Sequence, residues 1–376
     1  MNVTCMQLFL LHGLLALALF SSCNDKEELA VKSGNRAILV YMGANNNLVS
    51  DAYNSINAME EGLSGLDADI YVYATLAGTA PKIYKIVADQ GPDIKSQVIK
   101  SYEPHNSANP AVMKEILGTM QGYVADRTTG LILWSHATNW LPDAPVKLMS
   151  FNNDKGRKTD LKDLESILPT GLDFLMFDAC SMGSVEVLYQ LRDKARYTIA
   201  SPTEVLSTSM PYQQVLKHLI NPDLESGVKS AAASYFTFYD QLSGQYRSAT
   251  IAVINNSHWT ELAGEMKKIL IQHPLGTIYR EGLQRLDLDE KSLSAGFDFL
   301  DFTHQNIASS ATADIDRVVA KLVIYKAHTP TFLGKPILKF SGLSCYVPDD
   351  RNKWVHPYYK SLQWAKDSGF DSFVKE

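Results

Sequence analysis

Short apolar runs recur along the chain, at 37–42, 70–75, 131–134, 174–177 and 249–254, each closed by polar or turn residues. Runs of this length without polar alternation predict strands buried on both faces. Shorter stretches at 198–201 and 342–347 have the same character. Between these runs the apolar positions take up helical spacing at 48–63, 110–124, 161–168, 182–192, 212–219 and 228–241. In the first of these Ile56, Met59 and Leu63 share one side; in the second Pro110 stands at a first-turn position behind Ser107, Ala108 and Asn109. Strands alternating with helices, after one hairpin-like interlude ahead of Pro110, predict an α/β fold with a mostly parallel sheet covered on both faces. The chain from 255 to about 341 is predicted to be largely helical.

Two of the predicted strands stop in a way that carries chemistry. "LILWSHATNW" breaks off at Ser135 and His136, and "FLMFDACSMGS" at Asp178, Ala179 and Cys180. In an open parallel sheet, functional groups gather just past the carboxyl ends of the strands. Cys180 also precedes the helix predicted to start near Met182, whose N-terminus is expected to lower the thiol pKa. His136 is then a candidate general base or imidazolium partner. Taken singly, a cysteine in apolar surroundings is usually an inert buried thiol, and a histidine at a strand end a satisfied loop residue. The pair at equivalent strand ends is the less common arrangement, and it points to nucleophilic catalysis.

Composition narrows the partners. The 376 residues are 45% hydrophobic and 20% charged, with a formal net charge of -6 and no stripe of Lys and Arg to neutralise phosphates. Nucleic acid is not an expected partner, and without a phosphate-binding glycine loop neither is a nucleotide. Residues 8–20 are too short an apolar run to span a membrane and read as the core of a signal peptide covering 1–22. Cys23 would be the first mature residue, and Phe20, Ser21, Ser22 and Cys23 resemble a bacterial lipobox. The acidic stretch after it, within a tether at 23–36, looks like the export signal of Bacteroides-type lipoproteins; an ordinary cleaved signal is the alternative. An exported lipoprotein of the outer membrane or cell surface is implied, with membrane contact through the lipid. Beyond the tether, 37–245 is expected to form the core domain. A soft boundary near 245 leaves 246–376 packed against it, completing the same domain.

Once Cys5 leaves with the signal and Cys23 is lipidated, Cys180 and Cys345 remain, and a disulfide between them would silence both. Asp298, Asp301 and His304 lack a third close ligand of known metal geometry, so surface or capping roles are expected and no metal site is assigned. Trp354, Tyr358, Tyr359 and Trp364 are expected to pack rather than bind.

Several segments carry a family resemblance: Val40, Tyr41 and Met42 followed by Asn45, Asn46, Asn47 and Leu48; Leu131 to His136; Phe177 to Met182 with Glu186 and Val187; Leu191 to Asp193; Ala200, Ser201 and Glu204; Pro211 and Tyr212; Gly342, Leu343, Ser344, Tyr346, Pro348, Asp349 and Asp350. In this order they resemble the clostripain family of cysteine peptidases in the caspase-like clan. The resemblance implies a three-layer αβα sandwich with a helical C-terminal extension, and a cysteine endopeptidase acting on peptides or proteins after Lys or Arg. It implies Cys180 as nucleophile, His136 as acid/base, backbone N–H groups of Ala137 and Cys180 as oxyanion donors, and Asp178 near the pocket for a basic P1 side chain. A cap on the following helix is an equal account of Asp178.

Relatives resemble zymogens that cut themselves in the connection corresponding to 143–159. Lys147 is the best-placed site there; a solvated basic loop with nothing to cut is the plainer account. No cofactor is required for this chemistry. Some relatives respond to calcium, but no binding loop is identified here. Two positions depart from the family. Ala137 stands where Gly is usual, and a positive φ there would cost Ala about 1 kcal/mol. Ser207, Thr208 and Ser209 stand where basic-specific relatives carry a second acid; Glu204 is the nearest substitute. An inactive relative that binds peptides or a protein partner is the alternative, and oligomeric state is not read from the chain.

Overall fold

The computed structural model describes residues 36–374 apart from 126, 142–150, 209, 274, 277 and 289–295. The stretch 1–22 read as a signal peptide, Cys23, Lys147 and Ser209 therefore lie outside the described residues. A nine-stranded sheet runs through the molecule. In chain order its strands begin with β1 (Arg36–Ala44), β2 (Ile70–Leu76), β3 (Lys82–Lys85), β4 (Gln97–Ser101) and β5 (Thr128–Trp134). A short hairpin, β6 (Phe151–Asp154) and β7 (Arg157–Thr159), stands outside the sheet; β8 (Leu172–Asp178), β9 (Ala195–Ala200) and β10 (Thr250–Asn255) return to it. The two-residue β11 (Phe297–Asp298) is again outside, and β12 (Val323–His328) completes the sheet. The spatial order is β12-β10-β9-β8-β5-β1-β2-β3-β4. The five central strands are parallel, and the outer pairs on both sides are antiparallel.

The central strands are apolar throughout because both of their faces are covered. Alternate residues serve opposite layers. Leu39, Leu131, Leu133 and Leu175 pack with Met113, Ile116 and Met120 of α2 (Pro110–Gly122) and with Leu161 and Leu164 of α3 (Leu161–Ile167). Val40, Ile132 and Met176 pack with Ile56 and Met59 of α1 (Val49–Gly62) and with Val215 and Tyr235 on the other side. This is the three-layer αβα sandwich that the resemblance implies. Strands β10 and β12, from the 246–376 part, extend the same sheet.

The expectations differ from the structure where an element is half-exposed or capped by a residue outside the apolar pattern. β3, β4 and β12 lie towards or at the edges of the sheet and carry lysines, so they lack a continuous apolar run. The chain beyond 254 is accordingly less helical than expected, and of the 342–347 strand only Ser344–Cys345 pairs, with β11. The helix expected at 228–241 starts earlier, at Leu224, because the Asp223 side chain accepts the Ser226 N–H and caps it.

Candidate active site

Parallel pairing sets the two loops side by side. β5 and β8 run in register up to Trp134 opposite Asp178, so His136 and Cys180 each lie two residues past that last pair on the same rim. Both line one cleft of about 230 Å³ together with Asn47, Trp134, Asp178 and the segment Val205, Leu206 and Ser207. A larger depression of about 590 Å³ sits at the opposite ends of β8 and β9, among Leu172, Arg192 and Arg196. It holds neither a histidine nor a cysteine.

The histidine loop is braced from below. Asn152 of the β6–β7 hairpin donates its N–H to the His136 carbonyl at 3.0 Å, and Phe151 bridges Ala137. Gly43 allows this: a Cβ there would lie 2.0 Å from Asn152 Oδ1. Asp154 of the same hairpin accepts from Ser107 N and from Asn45 Nδ2, tying the hairpin to the 45–47 loop. From that loop Asn47 reaches His136: its Oδ1 lies 2.9 Å from Nε2. An amide oxygen only accepts, so in this arrangement Nε2 carries the proton and Nδ1 keeps a free lone pair. Burial and the nearby Lys158 hold the imidazole below its usual pKa, against a smaller pull from Asp51. It is neutral at pH 7.

The thiol does not meet the expectation of a lowered pKa. Burial pushes Cys180 up to about 11, with Glu204 and Asp178 adding to the rise. The helix behind it, α4 (Val185–Gln190), begins three residues later than Met182 and is only one and a half turns long. Its N-terminus lies five residues past the thiol and is capped by Ser184, whose side chain accepts the Val187 N–H; a helix dipole acts mainly within the helix's own first turn. Instead the sulfur is clasped by the backbone of Val205, whose N–H donates to Sγ at 3.4 Å and whose carbonyl lies 3.7 Å away. Resting chemistry is a neutral thiol beside a neutral imidazole.

The loop that carries Cys180 is fixed by its backbone. Ser181 adopts a left-handed φ of 59° and donates its N–H to Thr203 O; Gly183 donates to Ser201 O and accepts from Ser344 N. Gly183 has no room for a side chain, since a Cβ would meet Pro202 N at 2.6 Å. The C-terminal segment thus supports the loop that carries Cys180.

Glu186, fully buried one turn further on, accepts the Tyr346 N–H at 2.8 Å and faces Cys345, Tyr346 and Tyr359. Burial raises its pKa from 4.5 to about 7. The folded state therefore holds this proton more tightly than the unfolded chain does. Stability from this group is full below pH 4.5, fades as the pH rises to about 7, and is then gone. The gap amounts to about 3 kcal/mol. Glu186→Gln should flatten the dependence of Tm on pH across that window and melt above wild type at pH 8. Parallel melting curves for the two proteins would rule out this assignment.

Asp178 is buried, and its Oδ2 accepts from Tyr212 OH at 2.8 Å and from Met210 N at 3.3 Å. It does not cap α4, so the capping account fails. Ala137 is absent from the left-handed residues of this stretch, among which Asn139 has φ 66°; the feared cost of Ala over Gly does not arise. Thr208 bonds Tyr239 OH, which leaves Ser207 in the cleft. Cys180 and Cys345 are both free thiols, which removes the disulfide alternative. Asp298 caps its own helix, Asp301 pairs with Lys339, and His304 pairs with Asp316. Among the described residues no three potential metal ligands come together. The aromatic tail packs, with Trp364 against Tyr189, Trp259 and Phe299.

Asn47, Asn139, Asn152 and Val205 were not singled out from the sequence for roles of their own. The run Asn45, Asn46 and Asn47 is the one local signal, since side chains that bond backbone and ring atoms recur in such turns.

Residues 40–376 match the model of the clostripain family. Among solved structures, an inactive zymogen C11 protease from Parabacteroides distasonis is 29% identical with a TM-score of 0.78, covering 89% of this chain and 98% of its own. A secreted C11 cysteine protease from Bacteroides thetaiotaomicron, in complex with an irreversible peptide inhibitor, is 27% identical at the same TM-score, covering 90% and 100%. A Bacteroides fragilis cysteine protease is 25% identical over 60% of this chain and all of its own, at a TM-score of 0.53. No match is found among curated proteins.

Proposed function

The chain belongs to the clostripain family and is a cysteine-type peptidase, and from that premise we propose that it is an endopeptidase cutting after Lys or Arg with Cys180 as nucleophile. The observation that carries this is the shared cleft: His136 and Cys180 line it from adjacent strand ends, with Asp178 beside them. The Cys180 proton passes to His136 as the sulfur attacks the carbonyl, and the oxyanion is held by backbone N–H groups of Ala137 and Cys180. The imidazolium then protonates the leaving amine, giving an acyl-enzyme. Neutral again, His136 takes a proton from water, which releases the acid and restores the thiol. Every step uses groups of the protein and water, and the family needs no cofactor.

The Val205 clasp supports a latent resting state, in which substrate must displace the 205–207 segment to reach the sulfur. Self-activation by cutting after Lys147 in the 143–159 connection fits that state, as does the similarity to a protein described as an inactive zymogen. At the N-terminus, the lipobox-like segment supports export and anchoring through Cys23. Among the described residues no helix is long and apolar enough to cross a membrane.

Wild type and Cys180→Ala, expressed side by side, test the proposal. Wild type should divide into two fragments at Lys147 and take up a lysyl chloromethylketone; the variant should do neither. One intact band for both proteins would end the self-cleavage reading, and labelling that survives in the variant would end the nucleophile assignment. Fractionating the wild-type preparation beside Cys23→Ser checks the anchor, which should be lost from membranes in the variant.

A further inference from the structure

The backbone ladder between β5 and β8 ends at Trp134 and Asp178, so it does not by itself set the spacing of the loops beyond. A buried side-chain bond spans them. Asn139, three residues past His136, is 5% exposed and left-handed at φ 66°, a conformation that Asn tolerates better than most residues. Its Oδ1 accepts the Trp140 N–H at 2.9 Å and the Ser184 hydroxyl at 2.5 Å. Ser184, four residues past Cys180, is fully buried. It also caps α4 through the Val187 N–H and bridges Ser344. Oδ1 thus holds the start of the nucleophile's helix against the histidine loop.

We infer that the Asn139–Ser184 hydrogen bond is a crosspiece that fixes the separation of His136 and Cys180, which makes Asn139 and Ser184 positioning residues for the proton transfer between them. The inference rests on the catalytic roles proposed above. Two properties suit the bond to this task. Neither partner titrates between pH 4 and 10, so the spacing it sets is independent of pH. Both partners are shut off from water, so loss of either leaves the other's polar atom buried without this bond. Proton transfer falls steeply with misplacement; an error near 1 Å costs about 10²-fold.

The test compares wild type, Asn139→Gly, Ser184→Ala, the double variant and His136→Ala. Two quantities are measured: kcat and KM on a peptide with Lys at P1, and the pH profile of Cys180 inactivation by iodoacetamide. Asn139→Gly keeps the left-handed backbone at ease, so it isolates the side-chain bond even where Ser184→Ala weakens the helix cap. Each single variant should lose about tenfold or more in kcat with little change in KM, and its inactivation profile should move towards that of His136→Ala. The double variant should lose no more than the worse single one, because both act through one bond. Wild-type kcat in Asn139→Gly would overturn the crosspiece, and so would losses that multiply in the double variant. A wild type with no Cys180-dependent hydrolysis would overturn it too, by removing the catalytic reading beneath it.

Discussion

Alanine at His136 should lower peptide hydrolysis by about 10²- to 10⁴-fold at pH 7, the usual contribution of a positioned acid/base group. The deficit should shrink as the pH rises. The reason lies in the resting protonation states. Burial pushes the Cys180 thiol up to about 11 and holds the imidazole below its ordinary value, so there is no stored thiolate–imidazolium pair to draw on. On the proposed mechanism the sulfur becomes nucleophilic only as its proton moves to His136.

Wild type should therefore reach its plateau once the imidazole is neutral, from below pH 6.5 upward, and stay level to about pH 9. Without the imidazole the enzyme depends on spontaneous ionisation, with only about one thiol in 10⁴ ionised at pH 7 for a group at this level. Its rate should climb close to tenfold per pH unit between 7 and 9. Measuring kcat/KM for both proteins across that range decides the matter. A wild-type rate that climbs in parallel with the variant would show that His136 does not take the proton. Equal rates at pH 7 would show that it takes no part at all.

The strand skeleton was legible because burial on both faces writes itself as unbroken apolar runs, and β1, β2, β5, β8 and β10 all carry one. Their abrupt ends point His136 and Cys180 to a common rim, and both line one cleft there. What stayed hidden depends on long-range contacts that leave no local pattern. The hairpin Phe151–Thr159 reads as a polar, basic loop, yet its Asn152 is buried under the histidine loop and its Asp154 is buried against Ser107 and Asn45. Polar residues that serve as buttresses look the same in sequence as polar residues in water. The start of α4 was placed too early because Met182 is apolar and buried, and the sequence has no mark for the left-handed turn at Ser181. The pKa of Cys180 followed that misplacement. The expectation of a lowered value rests on a helix N-terminus two residues away, whereas α4 starts at Val185 and the observed loop brings Val205 to the sulfur.

Replacing Asp178 by Asn should cost about 2–5 kcal/mol on substrates with Lys or Arg at P1, roughly 30-fold to several thousand-fold in kcat/KM, because a buried cation would lose its counter-charge. Peptides with an uncharged P1 residue should change little or gain. Asp178 is suited to that role by its environment. Tyr212 OH and Met210 N both donate to Oδ2, which fixes the carboxylate in place; burial, and after it the charge of Asp178, lifts the Tyr212 hydroxyl well above its usual pKa. Asn keeps the shape and one oxygen acceptor, so the variant separates charge from packing. Among the described residues that line the cleft, Asp178 is the one acid. A single carboxylate predicts a preference for basic P1 that is weaker than two would give, and Ser207→Asp, in the same cleft, should sharpen it. Profiling the three proteins on a peptide library that varies P1 gives the selectivity ratio directly. If Asp178→Asn lowers basic and neutral substrates by the same factor, the carboxylate serves only to hold Tyr212 and the 205–210 segment, and the specificity of the cleft has another source.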